Sequence, residues 1–249
     1  MLDGYKYNLG LKKLKDVPAV YGFLDNSIDF KSGEPGGRMQ LKNMLTSNFN
    51  GANFEILELE QIHGSKIINI KQNNYDPLSQ PQADGFVTGR SGLLLCIKTA
   101  DCIPVLFYDK SVEMVAALHC GWRGLFDGII FNFGSILKNS YGLSLKNTVA
   151  MIGPSICKNC YEVKKDFYNN FINKDPGNKN FFNGFSHDKN GFLFDLKELL
   201  KNHLIGTSFE KNNIYDINIC NYEDHNFFSF RRDRTDSRFV SFIGLMMSR

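Results

Sequence analysis

This sequence has no strongly one-sided features. Net charge is only +3 with a pI of about 8.4, too mild a balance to argue for nucleic-acid binding. Long apolar runs are missing as well. Lys98 and Asp101 interrupt the most apolar region, Leu93 to Tyr108, before it reaches membrane-spanning length. The opening Met1-Leu-Asp-Gly-Tyr-Lys-Tyr has no signal-peptide core, so a cytoplasmic chain without membrane contact is expected. Its six cysteines are then expected as ligands, nucleophiles or core residues rather than disulfides. Repeats and low-complexity tracts are absent. Tryptophan occurs once, against 22 phenylalanines that read as core filling.

What is present describes a folded chain. Hydrophobic residues make up 43% and charged residues 22%, which suits a sizeable core. A length of 249 residues fits one domain spanning 1–249. Short apolar runs predict strands over Phe54–Leu59, Gly92–Ile97, Ile103–Tyr108, Met114–Leu118 and Thr148–Ile152. Helices are expected over Gly128–Leu137, Val163–Phe171 and Asp195–His203, the last capped by Asp195. Loops are expected at 31–37, 73–84 and 173–191. The irregular alternation favours an α+β sandwich with mixed β-sheets flanked by helices over a doubly wound sheet.

Three segments end a strand-like run on a residue able to bind metal: Gln61-Ile-His63-Gly64, Ala100-Asp101-Cys102 and Leu118-His119-Cys120. Two imidazoles and one thiolate are a suitable Zn²⁺ set, and three protein ligands leave a fourth position open for water or substrate. The spacing alone leaves this beside a plainer reading, in which each residue is simply hydrogen-bonded or buried. Cys96 reads as core, and Cys120 as either ligand or core. Cys157-Lys-Asn-Cys160 lacks a second pair at zinc-ribbon spacing, which argues against a structural zinc there. His187, His203 and His225 receive no role. The run Arg231 to Arg238 reads as a solvated or internally paired segment, or else as the rim of a site for an anion. Gly121-Trp-Arg-Gly124 allows close backbone approach, and Arg123 either binds an anion or ties the loop to Asp127.

Taken together and in order, Gln61-Ile-His-Gly64, Ala83-Asp-Gly85, Thr99-Ala-Asp-Cys-Ile-Pro104, His119-Cys-Gly-Trp-Arg-Gly124, Gly153-Pro-Ser-Ile-Cys157, Cys160-Tyr-Glu162 and Phe228-Ser-Phe-Arg-Arg-Asp233 resemble the YfiH-like laccase-domain family. The resemblance runs from about residue 54 onward. It implies a compact α+β sandwich and a zinc site with His63, Cys102 and His119 as ligands. It also implies phosphorolysis of adenosine, inosine and methylthioadenosine, with purine nucleosides and phosphate as partners, and deamination of adenosine. An older assignment for the family is copper-dependent phenol oxidation, so Cu²⁺ is the alternative metal. Asp101 is expected to orient a ligand or move a proton, and Arg38, Gln61 and Arg123 to bind substrate. The N-terminal region departs from the family pattern, and only Arg38 matches there.

Other chemistries stay in view. Two His and one Cys can hold one copper ion, but five histidines in all are too few for a trinuclear copper centre. Cys102 with His119 as base would make a thiol hydrolase. A binding module with a structural zinc is a further alternative. The His-x-Glu and Pro-Cys-x-x-Cys signature of cytidine-type deaminases is absent, so any deamination uses a different site.

Overall fold

The computed structural model describes residues 12–13, 18–31, 35–49, 53–71, 80–109, 111–143, 145–184 and 191–247. Two mixed sheets form its centre. The six-stranded sheet runs in the order Ile214–Asp216, Thr148–Ile152, Ile103–Asp109, Met114–Cys120, Gly85–Thr88, Ile67–Ile70. The five-stranded sheet runs Lys12–Lys13, Ala19–Phe23, Phe239–Leu245, Leu93–Thr99, Glu55–Leu57. A small antiparallel sheet joins Glu162–Lys164, Gly191–Phe194 and Phe182–Asn183.

Strand periodicity explains the layering, because alternate side chains leave opposite faces of a sheet. Leu95 and Ile97 face the other sheet and meet Leu106, Val115 and Ala117 in a shared core. Leu94 and Cys96 point the other way, onto Leu41 and Leu45 of the helix Gly36–Asn48. Beyond the six-stranded sheet, Phe107 and Ala116 pack with Phe133 and Leu137 of the helix Ile129–Tyr141 and Leu200 and Leu204 of Leu196–Gly206. The result is the expected sandwich, with sheets inside and helices outside.

The local signals behave as their chemistry requires. Asp195 Oδ1 accepts the Glu198 N–H at 3.0 Å and caps its helix. Gly128, at φ 83°, precedes the helix that begins at Ile129. The expected helix over Val163–Phe171 begins later, at Lys165, because Val163 pairs with Phe192 in the small sheet. The expected loop at 173–191 contains the 3-10 turn Pro176–Phe181, and His187 lies outside the described residues. The strand Phe239–Leu245, which adds to those expected from sequence, is central to its sheet and fully buried. No helix among the described residues is long and apolar enough to cross a membrane.

Candidate active site

Strand alternation also builds the site. At the end of Met114–Cys120, His119 turns toward a cavity while Cys120 turns into the core beside Val105 and Leu118. Cys120 is therefore core, and burial holds its thiol well above the ordinary range. Cys102 sits in the short connection between Leu93–Thr99 and Ile103–Asp109. His63 lies on a loop at φ 59°, a backbone region that residues with a side chain rarely adopt. One ligand atom from each of His63, Cys102 and His119 lies within 4.8 Å of the other two. The imidazoles meet edge to face with centroids 4.7 Å apart.

Gly121 leaves room for this group. A Cβ there would stand 3.1 Å from Cys102 Sγ and 3.5 Å from His63 Cδ2. Gly124 does the same for the loop, since its Cβ would stand 2.7 Å from the Gly64 carbonyl oxygen. The paired glycines of Gly121-Trp-Arg-Gly124 thus let His63-Gly64 lie against the strand end that carries His119.

Asp84 orients the group and received no role from sequence. It is fully buried. Its Oδ1 accepts the His63 N–H at 2.9 Å, and its Oδ2 accepts the Gly64 N–H at 2.6 Å. Asp84 Oδ1 also lies 2.8 Å from His119 Nδ1. A carboxylate there keeps the proton on Nδ1, so that Nε2 is the atom that could coordinate a metal once the ring is neutral. Without an ion, Cys102 and His119 form a thiolate–imidazolium pair. Burial would raise the Cys102 thiol, but the facing His119 and His63 rings outweigh it and bring the group down to about 6. Burial would lower His119, yet the Cys102 thiolate and Asp84 hold it up at about 9. The donor set and the spacing fit a Zn²⁺-sized ion, with no fourth protein ligand among the described residues.

The three residues form part of the wall of a cavity of about 790 Å³, ample for a nucleoside. Its apolar lining includes Phe30, Leu59, Trp122, Ile156 and Phe230, and its cationic lining Lys31, Lys98, Arg231, Arg234 and Arg238. Thr99 Oγ1 is buried at the wall with no hydrogen-bond partner among the described residues. The Tyr161 hydroxyl is held far above its ordinary range by burial and by the negative charges of Cys102 and Asp101, against the opposing charge of Arg231. A neutral phenol therefore lines the site.

Comparison with known proteins now places the chain. A family model described as multi-copper polyphenol oxidoreductase laccase matches residues 38–246. The chain belongs to this laccase-domain family. It is 31% identical over 189 residues to purine nucleoside phosphorylase YfiH of Escherichia coli (strain K12), covering 76% of this chain and 73% of that protein. It is 36% identical over 155 residues to a purine nucleoside phosphorylase of Rickettsia conorii, covering 62% of this chain; the chain spans only 61% of that relative's length. The crystal structure of YlmD from Geobacillus stearothermophilus superposes with a TM-score of 0.78 at 23% identity, covering 98% of both chains. That of Bacillus licheniformis YfiH gives 0.78 at 22%, covering 91% of this chain and 92% of that one. These two show the fold.

Within this laccase-domain chain, the other residues singled out from sequence fall in different places. Asp101 lines the cavity at φ 92°, but its carboxylate is fully engaged. Oδ1 accepts from Asn221 Nδ2 at 2.9 Å and Ser229 Oγ at 2.6 Å, and Oδ2 accepts the Arg231 N–H at 2.6 Å. Gln61 lines the cavity and pairs with both backbone groups of Lys98 at 2.8 Å. Arg38 lies outside the lining. Its guanidinium is taken up by Glu58 at 3.2 Å and the Ile56 carbonyl at 2.7 Å, and Glu58 in turn holds Lys98 at 3.1 Å. Arg123 also lies elsewhere, over the Trp122 ring at 5.0 Å and beside a second cavity of about 430 Å³ with Phe126 and Phe167.

The arginine run divides. Arg232 is internally paired, with Asp233 at 2.7 Å and the carbonyls of Asn221, Tyr222 and Phe227. Arg231, Arg234 and Arg238 line the cavity, where Arg231 Nη1 also donates to the Glu162 carbonyl at 2.7 Å and Arg238 Nη1 to the Thr235 and Ser237 carbonyls at 3.0 and 2.8 Å. The Cys157-x-x-Cys160 turn, which lacks a second pair at ribbon spacing, meets two further potential ligands from another loop. Cys220 and Glu223 supply a second pair, and the four ligand atoms lie within 4.8 Å of one another. Ribbon spacing misses this pair because it arrives from another loop, and because its last member is a carboxylate.

Proposed function

We propose that this chain, acting as one domain, is a zinc-dependent purine nucleoside phosphorylase that cleaves adenosine, inosine and methylthioadenosine with phosphate and also deaminates adenosine. The observation that carries this reading is the convergence of His63, Cys102 and His119 on a large cavity with apolar and cationic walls. The relatives' names point the same way. His63, Cys102 and His119 would hold the ion, zinc or alternatively copper, and a bound zinc supplies Lewis acidity and an acidified water.

The chain's own residues account for binding and orientation. Arg231, Arg234, Arg238 and Lys31 attract and seat the phosphate dianion. Phe30, Trp122 and Phe230 offer faces and edges to the purine. Tyr161, kept protonated, donates a hydrogen bond to the base or ribose. Thr99 Oγ1 gains in the substrate the partner it otherwise lacks. Asp101 is a positioning residue that binds Asn221, Ser229 and Arg231 to the cavity wall. Gln61 fixes the Lys98 backbone, and Arg38 acts at a distance, sharing Glu58 with Lys98.

The test is chromatography of adenosine incubated with the zinc-loaded protein, with and without phosphate, beside His119→Ala. Adenine that appears only with phosphate and only with His119 intact supports phosphorolysis. Inosine formed without phosphate supports deamination. No product in any arm overturns the reading. One observation favours a second reading: a thiolate at about 6 beside His119 is the pairing of a cysteine nucleophile with its base. Turnover that survives complete metal removal and stops on Cys102 alkylation would establish that reading instead. Copper-dependent phenol oxidation, the reaction in the family's description, is checked by loading copper and supplying a phenol.

A further inference from the structure

We propose that Cys157, Cys160, Cys220 and Glu223 form a second metal site, a closed four-ligand zinc centre whose role is to clamp the cavity-wall loop that leads into Tyr161 to the neighbouring loop that holds Asp101. This inference stands apart from the nucleoside reading and rests on a different set of side chains. Cys157 Sγ lies 3.5 Å from Cys160 Sγ, and Glu223 Oε1 lies 3.5 Å from Cys160 Sγ and 3.9 Å from Cys157 Sγ. All four donor atoms fall within 4.8 Å of one another. A tetrahedron with Zn–S bonds of about 2.3 Å separates its sulfurs by about 3.8 Å, so the ligands need only small adjustments to close around an ion.

The local backbone suits a thiolate site. The two cysteines of Cys157-x-x-Cys160 sit on a tight turn in which the Cys160 N–H donates to the Cys157 carbonyl at 3.1 Å. The Cys157 N–H points at Cys220 Sγ at 3.3 Å, the kind of donor that stabilises a metal-bound thiolate. Three soft sulfurs with one carboxylate favour zinc over magnesium or calcium. The three cysteines are half-buried and Glu223 is exposed, which gives the ion a way in.

The location explains what such a centre would do. Cys160 directly precedes Tyr161, which lines the cavity. Cys220 directly precedes Asn221, which hydrogen-bonds Asp101 and the Phe228 carbonyl. Between the two loops, the Ser155 N–H reaches the Ile219 carbonyl and the Asn221 N–H the Ser155 carbonyl, both at 3.3 Å. These bonds are long, and a shared ion would reinforce the same junction.

The test counts zinc by plasma mass spectrometry in full-length protein, purified under reducing conditions and dialysed against zinc and then buffer. The native chain is expected to hold two equivalents. The double variant Cys102→Ser/His119→Ala, which disables the cavity site, is expected to hold one. Cys160→Ser and Cys220→Ser should each lose one equivalent and keep the other. Cobalt loading of the double variant gives a reading that does not depend on the folding of any clamp variant. Thiolate-to-cobalt absorption in the near ultraviolet is expected with the intensity of three Co–S bonds, and its fall by about one third in the added presence of Cys160→Ser completes the assignment. A folded double variant that holds no zinc and gives no such band overturns the proposal. So does finding Cys157 and Cys160 joined as a disulfide in reduced, zinc-treated protein. Neither result bears on turnover of nucleosides, so the two readings fail separately.

Discussion

Replacing Asp84 by Asn keeps the shape of the side chain and removes its charge. In the native chain this carboxylate serves the His63 and Gly64 N–H groups at 2.9 and 2.6 Å and His119 Nδ1 at 2.8 Å. An amide has one accepting oxygen, so its NH₂ must face at least one of these donors. Each hydrogen bond to a charged group contributes about 1.5–3 kcal/mol, and a buried donor left unsatisfied costs about 1–3 kcal/mol. Losing one such bond and weakening the others gives an expected destabilisation of about 2–4 kcal/mol, or about 4–16 °C in Tm for a chain of this size. Loss of the residue that orients a metal-binding histidine lowers metal affinity by about 10–100-fold. Thermal unfolding of the metal-free protein reads the first quantity, and competition with a chromophoric chelator reads the second. A chelator titration within threefold of the native one, in a variant that still folds, would refute the claim that Asp84 orients His119 for coordination.

Further expectations follow from the same geometry. In metal-free protein, alkylation of Cys102 by iodoacetamide should rise with pH through about 6, because the thiolate is the reactive form. In His119→Ala the inflection should move up toward the ordinary thiol range, and an unchanged profile would break the proposed pairing. Gly124→Ala drives a methyl group to 2.7 Å from the Gly64 carbonyl oxygen and should cost about 1–3 kcal/mol in chemical denaturation. Arg231→Met and Arg238→Met should raise the KM for phosphate by about tenfold or more. Arg123→Met, which alters a side chain at the other cavity, should leave that KM within about twofold. Equal effects on phosphate KM in all three variants would remove the distinction between the cavities.

Much of the candidate site's geometry was legible because each of His63, Cys102 and His119 follows an apolar run, and the strands Glu55–Leu57 and Leu93–Thr99 of one sheet and Met114–Cys120 of the other bring their ends together. Alternation likewise separates His119 from Cys120 once the strand is known to run through both. Asp84 stayed silent for a physical reason. A buried carboxylate that accepts backbone N–H groups has no periodicity, and an Asp before Gly ordinarily reads as a turn. Arg38 and Arg123 show the converse limit. An arginine beside a motif promises charge, but the direction of its guanidinium is set by nearby acceptors and rings, here Glu58 and Trp122. The arginine run could not be divided from sequence, because Arg232 finds its carbonyl acceptors only when 221–227 folds against it. Cys220 and Glu223 lie some sixty residues beyond Cys157, a distance closed by the pairing of Ile214–Asp216 with Thr148–Ile152 and by the Ser155–Cys220 bridge that follows it.

The strand Phe239–Leu245 inserts between Ala19–Phe23 and Leu93–Thr99, pairing Ser241 with both Phe23 and Ile97. Until it arrives, each neighbour presents an open hydrogen-bonding edge, and the residues just before it, Arg234 to Arg238, have no fixed wall to complete. Closing this ladder requires chain segments more than a hundred residues apart to find each other, which is the slow kind of contact. Assembly of the sheet and assembly of the cavity are therefore one event. A nascent chain still lacking that strand would expose both edges and would lack the part of the cavity wall that Arg234, Asp236 and Arg238 complete.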